Sequence, residues 1–145
     1  MAQRSIRSII EQQEVIAAPE SMTVSEAARL MREKKAGAIL IVNEGGLAGI
    51  FTERDALNRV VAEGRDAKTT RLAEVMTRNP RTIHPDKPFP DALQIMHEGG
   101  FRNVPVVENG RPVGIISASD ALGPELKDFI YELLRQDQAR DVFSG

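Results

Sequence analysis

No cysteine occurs in the 145 residues, which removes disulfides, thiol nucleophiles and thiolate metal sites together and agrees with a reducing compartment. Histidine is nearly as scarce: only His84 and His97 are present, and neither has the His-x-x-x-His or Glu-x-x-His spacing of a helical metal site, so surface or packing roles are expected for both. The Gly-x-Ser-x-Gly elbow, the Walker loop and the Gly-x-Gly-x-x-Gly turn are all missing, and with them the common signatures of hydrolases, nucleoside triphosphatases and dinucleotide enzymes. No apolar run approaches the roughly eighteen residues of a membrane span. Arg4 and Arg7 near the N-terminus are followed by neither a continuous apolar stretch nor a small-residue cleavage site, so no secretory signal is read and a cytoplasmic location is expected. Positive charge is not in excess either. With 19 Lys and Arg against 21 Asp and Glu the net charge is −2, which argues against a dedicated nucleic-acid binder.

What is present is a soluble, globular composition, 41% hydrophobic and 28% charged, in a length suited to one compact unit or two small repeats sharing a core. The sequence favours two repeats. Val24 to Leu57 lies over Phe89 to Leu122 without a gap at a constant offset of 65, with identities that include Ala27/Ala92, Met31/Met96, Gly49/Gly114, Asp55/Asp120 and Leu57/Leu122. Upstream the offset becomes 66, so that Ile6, Ile9, Ile10 and Pro19 fall over Leu72, Val75, Met76 and Pro85.

Each copy has the same periodicity. Val24, Ala27, Ala28 and Met31, like Phe89, Ala92, Leu93 and Met96, follow i, i+3, i+4, i+7 and predict amphipathic helices, the first opened by a Thr23/Glu26 capping box. The matched Met31 and Met96 are expected in the core. Apolar runs at Ala38 to Val42 and Val104 to Val107 lead through turns to second runs at Ala48 to Phe51 and Val113 to Ile116, the pattern of a β-hairpin. Asn109-Gly110 predicts a type I′ turn, and Asn43-Glu44-Gly45-Gly46 a longer loop. With opening strands at Val15 to Ala18 and Arg81 to His84, and closing helices at Asp55 to Val61 and near Asp120, each repeat reads β-α-β-β-α. The expected fold class is α+β: two such repeats packed with pseudo-twofold symmetry about a cleft, plus a C-terminal helix. The predicted division is 5–64 for the first repeat and 71–123 for the second, with the polar stretch Ala62 to Thr70 as a flexible linker. Residues 124–138 are expected to form an amphipathic helix opened by Pro124, with Leu126, Phe129, Ile130, Leu133 and Leu134 on one stripe. That stripe docks either on its own repeats or in a dimer.

The same motif ends both hairpins: Gly49-Ile50-Phe51-Thr52-Glu53-Arg54-Asp55 and Gly114-Ile115-Ile116-Ser117-Ala118-Ser119-Asp120. Thr52 and Ser117 stand at N-cap positions with Asp55 and Asp120 at N3, and the plainest role of the motif is a capping box. A helix N-terminus also offers free N–H groups to phosphate, and a nearby carboxylate accepts hydrogen bonds from ribose hydroxyls.

The repeat and its strand-to-helix motif resemble the CBS domain, and the tandem pair resembles a Bateman module, over roughly Ser5 to Leu122. The resemblance implies clefts that take AMP, ADP, ATP, NAD or S-adenosylmethionine in different relatives, with no covalent cofactor. It implies further that Asp55 and Asp120 accept from ribose, with Thr52 and Ser117 near ribose or phosphate. Thr82 and Ile83 correspond to positions lining the base, and Val104-Pro105-Val106 to a strand whose backbone reads adenine. Arg102 and Asn103 are placed to reach phosphate, with Arg54 as a second cation. The first repeat departs from the pattern, with Ile16 and Ala17 where the second has Thr82 and Ile83 and with Leu40 in place of Pro105, so unequal sites are expected. The implied function is a regulatory nucleotide sensor, not an enzyme, that forms a homodimer and acts on a separate protein. A purely structural dimerisation module and an enzyme that uses the cleft remain alternatives.

Overall fold

The computed structural model describes residues 4–121 and 135. The chain opens with a short helix, α1 (Ile6–Ile10), and then strand β1 (Ala17–Pro19), helix α2 (Val24–Lys34) and the hairpin β2 (Ala38–Asn43) and β3 (Gly46–Thr52). A helical segment follows, one turn of α3 (Glu53–Asp55) continuing as a π-helix over Ala56–Val61. The second repeat runs α4 (Leu72–Val75), β4 (Thr77–Arg78), α5 (Phe89–Gly99), β5 (Asn103–Glu108), β6 (Arg111–Ser117) and a 3₁₀ turn at Ala118–Ala121. The C-terminal stripe predicted over 124–138 lies outside the described residues, apart from position 135.

Both predicted hairpins form, each with a register shift at the same place, between Ile41 and Val42 and between Val106 and Val107. Asn109 and Gly110 both have positive φ, 54° and 79°, as a type I′ turn requires. The first hairpin is tighter than expected. Asn43 pairs directly with Gly46, leaving only Glu44 and Gly45 in the turn, because the Asn43 side chain accepts from the Gly45 N–H at 2.8 Å and Gly46 takes φ 112°.

The opening strands differ. β1 pairs in parallel with β2, and Leu40 donates its N–H to the Ile16 carbonyl. At the matching place in the second repeat stands Pro105, which has no N–H to give Thr82. The strand expected at Arg81 to His84 therefore reduces to a single bridge, Ile83 to Val106, held by Ile83 N–H to Pro105 O and Val107 N–H to Ile83 O, each 3.0 Å.

The two sheets pack face to face. β2 turns Ile39 and Ile41 into the first core with Phe51, while Ala38, Leu40 and Ile50 on the opposite faces meet Ile115 of the second repeat. A strand buried on both faces explains the unbroken apolar run of β2. Met31 and Met96 are buried as expected, at 7% and 6% exposure.

The leading helices are exchanged. Ile6 and Ile10 of α1 lie in the second core beside Phe89, Met96 and Ile116, whereas Leu72, Val75 and Met76 lie in the first beside Val24, Met31 and Phe51. The anchoring contacts come in pairs related by the repeat offset: bridges Ser5–Pro88 and Thr23–Arg71, and hydrogen bonds Phe89 N–H to Arg4 O and Val24 N–H to Thr70 O, each 2.9 Å. A pseudo-twofold axis relates the halves. The stretch Ala62 to Thr70, expected as a flexible linker, is stitched down: Thr70 is buried, Asp66 caps the turn through the Lys68 N–H, and Ser25 N–H bonds the Ala67 carbonyl.

Candidate functional site

The first motif forms the predicted capping box, and the second forms the aspartate half of it. Thr52 Oγ1 accepts from the Asp55 N–H at 3.2 Å, and Asp55 Oδ2 accepts from the Thr52 N–H at 3.0 Å, a complete capping box. In the second copy Asp120 Oδ2 accepts from the Ser117 N–H at 2.7 Å and from its hydroxyl at 3.2 Å. The motif glycines are explained by the exchanged helices. A Cβ on Gly49 would stand 2.7 Å from the Thr77 carbonyl oxygen and 2.8 Å from Met76 Sδ, and one on Gly114 would stand 2.7 Å from Ile10 Cγ2. Only glycine lets the other repeat's leading segment cross so closely.

The two caps face one cleft of about 1160 Å³ between the repeats. Much of its lining follows the pseudo-twofold relation, pairing Thr52 with Ser117, Arg54 with Ser119, Asp55 with Asp120, Ile50 with Ile115, Ala38 with Asn103, and Val15 with Arg81. Its floor is apolar, from Val15, Ile16, Ile50, Ile115 and Phe101, and its rim is charged. Lys34 is paired with Glu14 at 3.0 Å and Arg81 with Glu98 at 3.0 Å, and the Arg81 hydrogen bond is the main cause that holds the Glu98 carboxyl below its usual range. Arg54 donates to the Gly100 carbonyl across the cleft at 3.2 Å. The Lys35 and Arg102 side chains engage no partner among the described residues, which leaves two uncommitted cations on the rim.

Of the residues singled out from sequence, the fold brings Thr52, Arg54, Asp55, Arg102, Asn103, Ser117 and Asp120 to this cleft. Thr82 and Ile83 do not line it; they border a separate shallow depression with Lys87, Asp91 and Gln94, and Ile83 is itself buried in the second core. Val104 is fully buried in that core, and Pro105 is buried with its carbonyl taken by Ile83. From the second repeat the cleft uses the preceding positions, Pro80 and Arg81, and from the first their equivalents Glu14 and Val15 together with Ile16, the counterpart of Thr82.

Gln13 was also missed. Its side chain accepts from the Ile115 N–H at 3.1 Å and donates to the Ile115 carbonyl at 3.0 Å, doing for β6 what the backbone of β4 does for β3. The repeat offset could have found it, since Gln13 is the counterpart of Asn79 at the same rim. The two histidines are exposed. His84 Nδ1 accepts from the Asp86 N–H, and its ring, Asp86 and Glu108 bring ligand atoms within 4.8 Å of one another. That cluster already holds a cation: Arg7 bonds Asp86 at 2.9 Å and Glu108 at 2.6 Å.

The family model for the CBS domain matches this chain twice, at residues 6–62 and 72–123. The chain belongs to the CBS-domain family. It is 39% identical over 105 residues to the CBS domain-containing protein CBSCBSPB3 of Arabidopsis thaliana, a match covering 72% of this chain and 19% of that much longer protein. With the CBS domain-containing protein YhcV of Bacillus subtilis the identity is 37% over 100 residues, covering 69% of this chain and 71% of YhcV. Among solved structures, the CBS domain pair of protein MJ0100, in complex with 5′-methylthioadenosine and S-adenosyl-L-methionine, superposes with a TM-score of 0.73 at 29% identity, covering 82% of this chain and 93% of that one. The exchanged helices, the paired sheets and the shared cleft are thus features of a tandem CBS pair. No helix among the described residues is long and apolar enough to cross a membrane.

Proposed function

We propose that this CBS pair is a regulatory module whose cleft binds an adenosine-containing ligand, AMP, ADP, ATP, NAD or S-adenosylmethionine, and that it acts in the cytoplasm as a homodimer on a separate protein. The observation that carries this reading is the convergence of both Thr/Ser-x-x-Asp caps, with uncommitted Lys35 and Arg102, on one cleft with an apolar floor. An apolar floor suits a purine face, carboxylates suit ribose hydroxyls, and helix starts with nearby cations suit phosphate. Capping does not use up the aspartates, because a carboxylate has about four acceptor positions and each cap takes only one oxygen, Oδ2. The volume slightly exceeds the roughly 300–1,000 Å³ of a typical single small-molecule site, in keeping with two half-sites.

A thermal-shift panel with the five ligands tests this. At 100 times its dissociation constant a specific ligand stabilises the fold by about 2.7 kcal/mol. A shift with one or more ligands is expected; silence across the panel would leave the capping boxes as structural devices in an interaction module, and turnover of a bound nucleotide would make the protein an enzyme.

A further inference from the structure

The pseudo-twofold axis lets each feature of the cleft be compared with its twin. Arg54 leaves α3 of the first repeat and bonds the carbonyl of Gly100 in the second. Gly100 is the left-handed residue, φ 71°, that closes α5, so its oxygen sits at a helix C-terminus, where cations are favoured. The twins of this pair are Ser119 and Lys35. No link forms there: the Ser119 hydroxyl is bonded to that of Ser117 at 2.7 Å, and the Lys35 side chain has no partner among the described residues. One side of the cleft is strapped across the repeats and the other is open.

We propose that Arg54 is an exchangeable strap and a specificity determinant: it ties the repeats together through Gly100 and trades that carbonyl for the anionic group of a phosphorylated ligand. The inference rests on the adenosine-ligand reading of the cleft. Arg54 and Gly100 are both exposed, so the hydrogen bond competes with water and is cheaply given up. A guanidinium bond to phosphate is charge-assisted and roughly twice as strong as one to a neutral acceptor. Arg102 lies two residues beyond Gly100, lines the same cleft and has no side-chain partner among the described residues, so an anion seated there meets two cations. Adenosine offers no replacement for the carbonyl and leaves the strap in place. The phosphate thereby acquires the differential interaction that any ligand needs in order to shift a conformational equilibrium.

The test titrates AMP and adenosine into the wild type, Arg54→Ala and Arg54→Lys by calorimetry. AMP is expected to bind the wild type about 10-fold more tightly than adenosine. Arg54→Ala should abolish most of that ratio while adenosine affinity stays within about twofold, and Arg54→Lys should restore part of it. Because the chain has no cysteine, spin labels at Asn58→Cys and Gln94→Cys report the separation of α5 from the segment after α3, which should change with AMP and not with adenosine. Equal losses for both ligands in Arg54→Ala, or identical label distances with both, would overturn the strap and leave the ligand reading standing. A wild type that binds neither would overturn the strap, and silence across the whole five-ligand panel would overturn the ligand reading with it.

Discussion

Asp55 and Asp120 occupy the same place in the two repeats but are not equally engaged. The second oxygen of Asp55 lies 3.5 Å from the Thr77 hydroxyl and 3.6 Å from Arg59 Nε, and its side chain is only 13% exposed. Asp120 Oδ1 has no such partner among the described residues, so it is the freer acceptor for a ribose. Asp120→Ala is accordingly expected to weaken nucleotide binding by roughly 10- to 100-fold, the loss of a hydrogen bond to a charged acceptor, at a cost to stability of about 1 kcal/mol for the cap. Asp55→Ala should show the reverse balance, a larger fall in melting temperature and a smaller loss of affinity. Calorimetry and thermal melts on the two variants decide it; equal affinities in wild type and Asp120→Ala would return the motif to pure capping. The motif glycines carry a different constraint. Gly114→Ala must push Ile10 aside in a packed core and should cost about 1–3 kcal/mol by denaturant titration, whereas at Gly64, with open space around its Cβ position and φ 68°, only the left-handed backbone resists a side chain.

At the scale of elements, the exchanged helices make each repeat depend on the other. Ile6 is fully buried, yet it belongs to the second core, so Ile6→Ala should destabilise the fold by about 2–5 kcal/mol and raise hydrogen exchange first in α5, β5 and β6. Loss of protection confined to the first repeat would contradict the exchange. Helix α1 is also clamped from outside, where Arg7 bridges Asp86 and Glu108. Its hydrogen bonds hold both carboxyls below their ordinary values of 3.8 and 4.5 and push its own value up. A carboxylate with a depressed folded pKa contributes stability that is present above its unfolded value and is lost as the pH falls through the folded one. The clamp's contribution is therefore complete above about pH 4.5 and is lost as the pH falls through the lowered folded values, so Arg7→Ala should lower the melting temperature slightly at neutral pH, converge with the wild type in acid and thereby flatten the acid limb. Most elements were legible in advance, because an apolar stripe at helical spacing and two hairpins recur at one offset. The opening strand of the second repeat was not, because its failure depends on a hydrogen bond between elements: Pro105 lacks the N–H that Leu40 gives to Ile16. The exchange of α1 and α4 was equally hidden, since Ile6 and Leu72 show which residues are buried and not which core receives them.

For the whole molecule, the sequence marked the motifs at the cleft mouth, while the fold sets Thr82 and Ile83, also singled out, beside a separate depression. Thr52, Asp55, Ser117 and Asp120 were legible because a strand running into a capped helix fixes their direction locally. Thr82 and Ile83, assigned by resemblance to base-lining positions, border the neighbouring depression, while Arg81 beside them and Ile16, the equivalent of Thr82, line the cleft. The pseudo-twofold architecture then accounts for the unequal half-sites: the same scaffold carries Arg54 against Gly100 on one side and Ser119 against Lys35 on the other. The exposed pair Leu57 and Val61, 59% and 70% accessible, is consistent with association of two copies, and light scattering should report about twice the 16.0 kDa chain mass; a monomer at high concentration would remove the homodimer from the proposal. The central claim is that the cleft between the repeats is the ligand site. Its most direct measurement is the crystal structure of the protein grown with whichever ligand of the five stabilises it most: density is expected in the cleft, with ribose hydroxyls on Asp120 and any phosphate beside Arg102, and that ligand bound anywhere else would contradict it.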